Sequence, residues 1–181
     1  MTVLNLQDSI APYDNDNRYW RVIVESPRGS RNKYKYDHEL GTMLLSTVLP
    51  QGMSFPYDFG FVPQTLGDDG DPLDVLLLMD EPAFAGCIVP SRLIGVIEAT
   101  QTEKGERPEE NDRIVAVHAK SRIYHNCKAL RDLSESLLHE VQEFFIAYNR
   151  TREKRFEVKK LSGPAQAQKL ARVGMKKWRD R

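Results

Sequence analysis

Four carboxylates crowd seven residues of this 181-residue chain. They are Asp68, Asp69, Asp71 and Asp74, in the run Gly67-Asp68-Asp69-Gly70-Asp71-Pro72-Leu73-Asp74-Val75. At ~4 Å each like-charged pair costs about 4 kcal/mol at an effective dielectric of roughly 20, unless a cation sits between them. Gly70 permits an unusual turn and Pro72 stiffens it. Hard oxygen donors on such a support suit Mg²⁺, with Mn²⁺ as a substitute. A calcium EF-hand does not fit: counting from Asp69, the sixth position is Asp74, where glycine is required. The same residues also suit a solvated acidic turn.

The loop must be held by something. It opens into Val75–Met79, a short apolar strand that anchors it in a core. Tyr19–Val24, Lys33–His38, Thr42–Leu49, Leu93–Thr100 and Arg113–Ala119 also read as strands. Turn clusters and an irregular Pro50–Pro63 stretch separate them, and the charged segment Gln101–Asp112 reads as a connector. Many short strands with turns between them imply a closed or partly closed barrel. Asp132-Leu-Ser-Glu135 reads as a capping box, and Leu133, Leu137, Leu138, Val141, Phe144, Phe145 and Tyr148 recur at helical spacing. That stripe is core. A second helix starts near Pro164.

Composition bounds the rest. The chain carries 26 basic and 26 acidic residues, 40% apolar residues and two cysteines 40 positions apart. Global disorder, a disulfide framework and a structural zinc site are excluded. Apolar runs such as Val75–Met79 are far shorter than the ~18 residues of a membrane span, and no secretory signal is visible. A single domain over 1–181 is expected, cytoplasmic, with an N-terminal arm (1–18) and a basic C-terminal helix (161–181). Residues 150–181 hold 12 basic and 3 acidic residues, against 14 and 23 in residues 1–149. Such a tail can lie against an acidic body. Without interleaved aromatics it does not point to nucleic acid, so neither nucleic acid nor membrane is expected as a partner.

The Asp69–Asp74 motif resembles the signature of soluble family I inorganic pyrophosphatases. Colinear segments extend the likeness over about residues 19–160. They are Val24-Glu25-Ser-Pro27 with Lys33-Tyr34, then Phe55-Pro-Tyr-Asp-Phe-Gly-Phe-Val-Pro-Gln-Thr-Leu66. Leu93–Val96, Ile114–Val117 and Phe144–Tyr148 complete the set. The resemblance implies an α+β fold: a five-stranded OB-like β-barrel with flanking strands and two C-terminal helices. It implies magnesium-dependent hydrolysis of pyrophosphate to two phosphates by a homo-oligomer, usually a hexamer. Asp69, Asp71, Asp74 and Glu25 fall on metal positions, and Asp71 also on the group that orients or deprotonates the attacking water. Lys33, Arg113 and Tyr148 fall on phosphate-binding positions.

Eight positions depart from that pattern: Arg113 stands for a lysine, keeping the charge on a planar fork, and seven others change more. Lys35 stands for a glutamate, Thr47 for an arginine, Phe55 and Phe59 for tyrosines. Gln101 and Asn111 stand for aspartates and Asn149 for a lysine. Asp112 or Glu110 could serve in place of Asn111 after a one-residue shift. The metal side is four charges less negative than usual, and the phosphate side loses two positive charges. Lys35 is expected to supply charge where a typical member uses a metal, and catalysis to be weaker. A non-catalytic relative that binds phosphate or a protein partner is the alternative reading. So is a hydrolase of another phosphoanhydride, its pocket opened at Thr47 and made apolar by the two phenylalanines.

Overall fold

The structure, a computed structural model, describes residues 5–16 and 18–181. Of the expected N-terminal arm, residues 1–4 and 17 lie outside this range. The rest includes a one-turn helix, α1 (Leu6–Ser9), capped by the Asn5 side chain.

Five strands close into a ring. β1 (Trp20–Ser26) pairs antiparallel with β4 (Asp58–Phe61), and β4 antiparallel with β5 (Asp74–Leu78). β5 runs parallel to β8 (Arg113–His118), β8 antiparallel to β6 (Ile88–Glu103), and β6 returns antiparallel to β1. Closure leaves none of these ladders with a free edge over its paired length. Outside the ring, β6 extends to pair with β7 (Glu109–Glu110) and β9 (Lys154–Ser162). β2 (Asn32–Asp37) and β3 (Thr42–Val48) form a separate hairpin. α2 (Glu135–Arg150) and α3 (Pro164–Arg179) complete the fold.

β5 shows why its sequence is apolar without alternation. Leu76 and Leu78 pack into a cluster with Phe145 and Tyr148 of α2. Val75 and Leu77 pack into a second cluster with Ala167 and Ala171 of α3. Both faces are covered, so both must be apolar. Each fully buried branched side chain contributes roughly 1.5–3 kcal/mol. The barrel also needs a close backbone approach at Gly60, where a Cβ would stand 2.0 Å from the Ile23 carbonyl oxygen.

Several boundaries differ from the sequence reading, among them the start of β6 at Ile88 rather than Leu93. β4 lies inside the supposedly irregular Pro50–Pro63 stretch, between its last prolines. The Gln101–Asp112 connector contains the end of β6 and all of β7. Residues 161–162 end β9, so the basic helix begins at Pro164. Asp132 does not cap α2. Ser134 does, through Leu137 N at 3.2 Å, while the Asp132 carboxylate accepts the amides of Lys128 and Ala129. Asp132 instead ends a 3₁₀ turn (Leu130–Asp132), so Leu133, expected on the helical stripe, precedes the helix, which starts at Glu135.

The basic tail does lie on the acidic body of its own chain. Lys177 pairs with Asp68, and Arg181 reaches Asp8 at 2.7 Å.

Candidate active site

The acidic loop is built by its own backbone. Gly67 N donates to Asp71 O at 2.7 Å, Asp71 N donates to Asp69 Oδ1 at 3.0 Å, and Gly70 takes φ +83°. Only glycine adopts that φ freely. Two bonds anchor the loop from behind: Leu73 N to the Thr65 hydroxyl, and Leu66 N to Gly174 O on α3. Asp69 and Asp71 are exposed and Asp74 half-buried at the start of β5.

The chain's own cations reach into this loop. Lys35 Nζ lies 2.9 and 3.1 Å from the two Asp71 oxygens. Arg113 Nη1 lies 2.6 Å from Asp74 Oδ2. Burial pushes the Asp74 carboxyl up, and the Arg113 guanidinium opposes that shift. Arg113 is itself buried, with its guanidinium 5.5–5.9 Å from the rings of Phe59, Phe145 and Phe156. A planar guanidinium stacks in such a box where an ammonium would not.

Glu25, buried near the end of β1, accepts Tyr36 N at 2.8 Å and so ties the hairpin to the barrel. Burial pushes its carboxyl up to about 7, against the pull of the Tyr36 amide. The Asp74 charge raises it further, while Lys33 and Lys35 draw it down. Lys33 Nζ donates to the Tyr148 hydroxyl at 3.0 Å.

Magnesium asks for oxygen donors, and Asp69, Asp71, Asp74 and Glu25 are the right chemical type. Among the described residues, however, no three Asp, Glu, His or Cys side chains form a group that could hold a metal ion. The expected four-residue ligand set is therefore not assembled. Asp71 is turned onto Lys35 and Asp74 onto Arg113, so a metal would have to displace or complement an internal cation.

The remaining departures find local reasons. Gln101 and Asn111 hydrogen-bond each other at 2.9 Å, and Asn111 also accepts from Arg113. Two amides thus pair where two aspartates would repel. Asp112 lines the same cleft as Asp69 and Asp74, with its carboxylate accepting Ala99 N at 3.0 Å. Glu110 is paired with Lys159. Phe55 and Phe59 are buried, within 6.0 Å of each other between ring centroids, and Phe59 packs on Phe145. They are core, not the lining of a widened pocket.

Asp58, at the start of β4, is buried and serves the turns around it. Its carboxylate accepts Arg28 N and Ala83 N and clamps two turns. Cys87 is half-buried, and burial pushes its thiol up. Trp20 and Trp178 donate their indole N–H groups to Gln168 and Asp8 respectively.

One residue escaped the sequence reading. Arg152 Nη1 donates to the Tyr148 hydroxyl at 3.1 Å. Its only sequence signal is its place four residues after Tyr148, one helical turn on.

The family model of inorganic pyrophosphatase matches residues 22–179. The chain is 41% identical over 137 residues to an inorganic pyrophosphatase of Synechocystis sp., covering 76% of this chain and 78% of the relative. An inorganic pyrophosphatase of Leifsonia xyli is 36% identical over 154 residues, covering 84% and 91%. Among solved structures, an inorganic pyrophosphatase from Thermus thermophilus superimposes with a TM-score of 0.87 at 31% identity. It covers 97% of this chain and 99% of its own.

Proposed function

The chain belongs to the inorganic pyrophosphatase family, and we propose that it hydrolyses inorganic pyrophosphate to two phosphates at the acidic loop, with magnesium as cofactor and manganese as a substitute. One relationship carries the reading. Lys35 and Lys33, two residues apart on β2, touch Asp71 and Tyr148 respectively. One short strand thus joins the carboxylates to the phosphate-binding end.

Asp69, Asp71, Asp74 and Glu25 would hold the magnesium. When bound, divalent ions acidify a coordinated water and neutralise phosphoryl oxygens. Asp71 orients the attacking water and accepts its proton. Lys33, Arg113 and the Tyr148 hydroxyl donate to the phosphoryl oxygens and stabilise the charge that develops on the leaving phosphate. Lys35, drawn to Asp71, holds positive charge at the same place. Thr47 and Asn149 bring no cation, so turnover is slower than a site with every contact would give.

The reading extends to a homo-oligomer, a hexamer by family resemblance, working in the cytoplasm. Leu44, Leu45 and Val48, about half exposed on β3, supply apolar surface for contact between copies. No helix among the described residues is long and apolar enough to cross a membrane.

Phosphate release from pyrophosphate with added Mg²⁺ tests the function. Asp71→Asn is expected to lower the rate by roughly 10²–10⁴. Equal rates would remove the role given to Asp71. No release by either protein would leave a phosphate-binding relative without turnover.

A further inference from the structure

The Tyr148 hydroxyl sits between two cations. Lys33 Nζ approaches to 3.0 Å and Arg152 Nη1 to 3.1 Å, and both lie over the same ring, 5.4 and 5.5 Å from its centroid. Two positive groups converging on one neutral oxygen repel each other unless an anion joins them. Glu25 and Asp74 feel the Lys33 charge from a distance, but among the described residues neither Lys33 nor Arg152 has a carboxylate oxygen within 4.0 Å. Glu103 feels the Arg152 charge, but Lys154 holds it in an ion pair.

The two sides of this pair come from separate elements. Lys33 is on β2, in register with Thr47 on β3. Directly opposed residues share one face of a hairpin. Exposed Thr47 thus flanks the cradle without charge. Asn149 offers none either. It is buried, and its amide nitrogen donates to Phe145 O at 2.9 Å within α2. Arg152 is set by the turn that follows α2. Its amide donates to Asn149 O at 2.9 Å, and Glu153 takes φ +58° to lead into β9.

We propose that Arg152 is a further substrate-binding residue, joining Lys33 and Tyr148 at the phosphate-binding end and adding positive charge beside uncharged Thr47 and Asn149. The ligand class is a phosphoryl group, one end of a diphosphate or a free phosphate. The guanidinium presents two N–H groups in a plane that matches phosphoryl oxygens. This inference rests on the pyrophosphatase reading for its substrate, but not on turnover.

The test is calorimetric binding of imidodiphosphate with Mg²⁺, and of inorganic phosphate alone, to the full chain and to Arg152→Met. A charge-assisted hydrogen bond on an exposed arginine predicts roughly tenfold weaker binding of both. The slope of log Kd against log salt should also fall, a change that lost packing would not produce. KM for pyrophosphate should rise by a similar factor with kcat moving less, and Arg152→Lys should recover part of the loss. Arg152→Gln gives the same reading if the methionine variant fails to fold. Wild-type affinity and salt slope in Arg152→Met or Arg152→Gln would overturn the role given to Arg152, as would a wild-type chain that binds neither probe. Intact binding that weakens in Arg152→Met, with no phosphate released from pyrophosphate, would sustain that role and defeat only the hydrolytic reading.

Discussion

Lys35 Nζ lies 2.9 Å from Asp71 Oδ2, across 36 residues of sequence. The carboxylate assigned to the attacking water therefore carries a cation that the chain itself supplies. Both side chains remain about half exposed, so the pair is solvent-screened and contributes at most about 1 kcal/mol to stability. Its consequence is for charge in the site rather than for folding.

That pairing predicts the metal count. Manganese bound in the presence of imidodiphosphate, followed by electron paramagnetic resonance, should reach about two ions per chain. Lys35→Glu should raise the count by about one, since it adds an oxygen ligand and removes the competing ammonium. A full complement of three or four ions in the wild-type chain, unchanged in Lys35→Glu, would show that Lys35 replaces no metal.

Arg113 should matter to stability as well as to binding. Arg113→Met leaves Asp74 without its cation. Removing one partner of a fully buried pair costs about 3–5 kcal/mol. The Asp74 side chain keeps 29% of its exposure, so a loss of about 2 kcal/mol is expected in urea melts. Arg113→Lys should recover only part of this, because an ammonium loses the stacking on Phe59, Phe145 and Phe156. Full recovery by lysine would mean that the aromatic box contributes nothing.

Gly60→Ala tests the ring. Its Cβ would meet the Ile23 backbone at 2.0 Å, where no flexible side chain can give way. The β1–β4 ladder must open or bend, at about 3 kcal/mol or more. A thermal melt within a degree or two of wild type would contradict that approach.

Acid stability should depend on Asp80. Its carboxylate accepts the Ser121 hydroxyl and then the Arg122 amide, and these hold its carboxyl below the ordinary 3.8. A carboxyl that is more acidic in the folded chain stabilises fully above the unfolded value, and the contribution fades as pH falls through the folded one. Asp80→Asn should thus lower stability at neutral pH and flatten its decline below about pH 4. Parallel declines in the two proteins between pH 5 and 2 would remove Asp80 from the acid response.

Much of the site was legible residue by residue. The acidic run, its glycine turn and the apolar strand behind it are local patterns, and each appears where the residues put it. The stripe on α2 and the proline start of α3 are local too. β4 was not readable, because two flanking prolines outweigh four residues whose pairing partners lie in β1 and β5. β9 was not readable either. Its Lys154–Ser162 run is mostly charged and exposed, and it becomes a strand only by pairing along the extension of β6.

Sequence alone determined the inventory of charges: the crowded aspartates, the lysine at 35, and the uncharged residues at 47, 111 and 149. Tertiary structure decided how those charges are matched. Lys35 meets Asp71 where the Tyr36 amide hangs the hairpin on Glu25, and Lys33 and Arg152 reach one hydroxyl because α2 delivers Tyr148 to the hairpin. The reason is physical. A turn or a helix forms from neighbours along the chain, whereas an ion pair depends on distance in space. Those distances are set when the barrel closes and its two faces are covered.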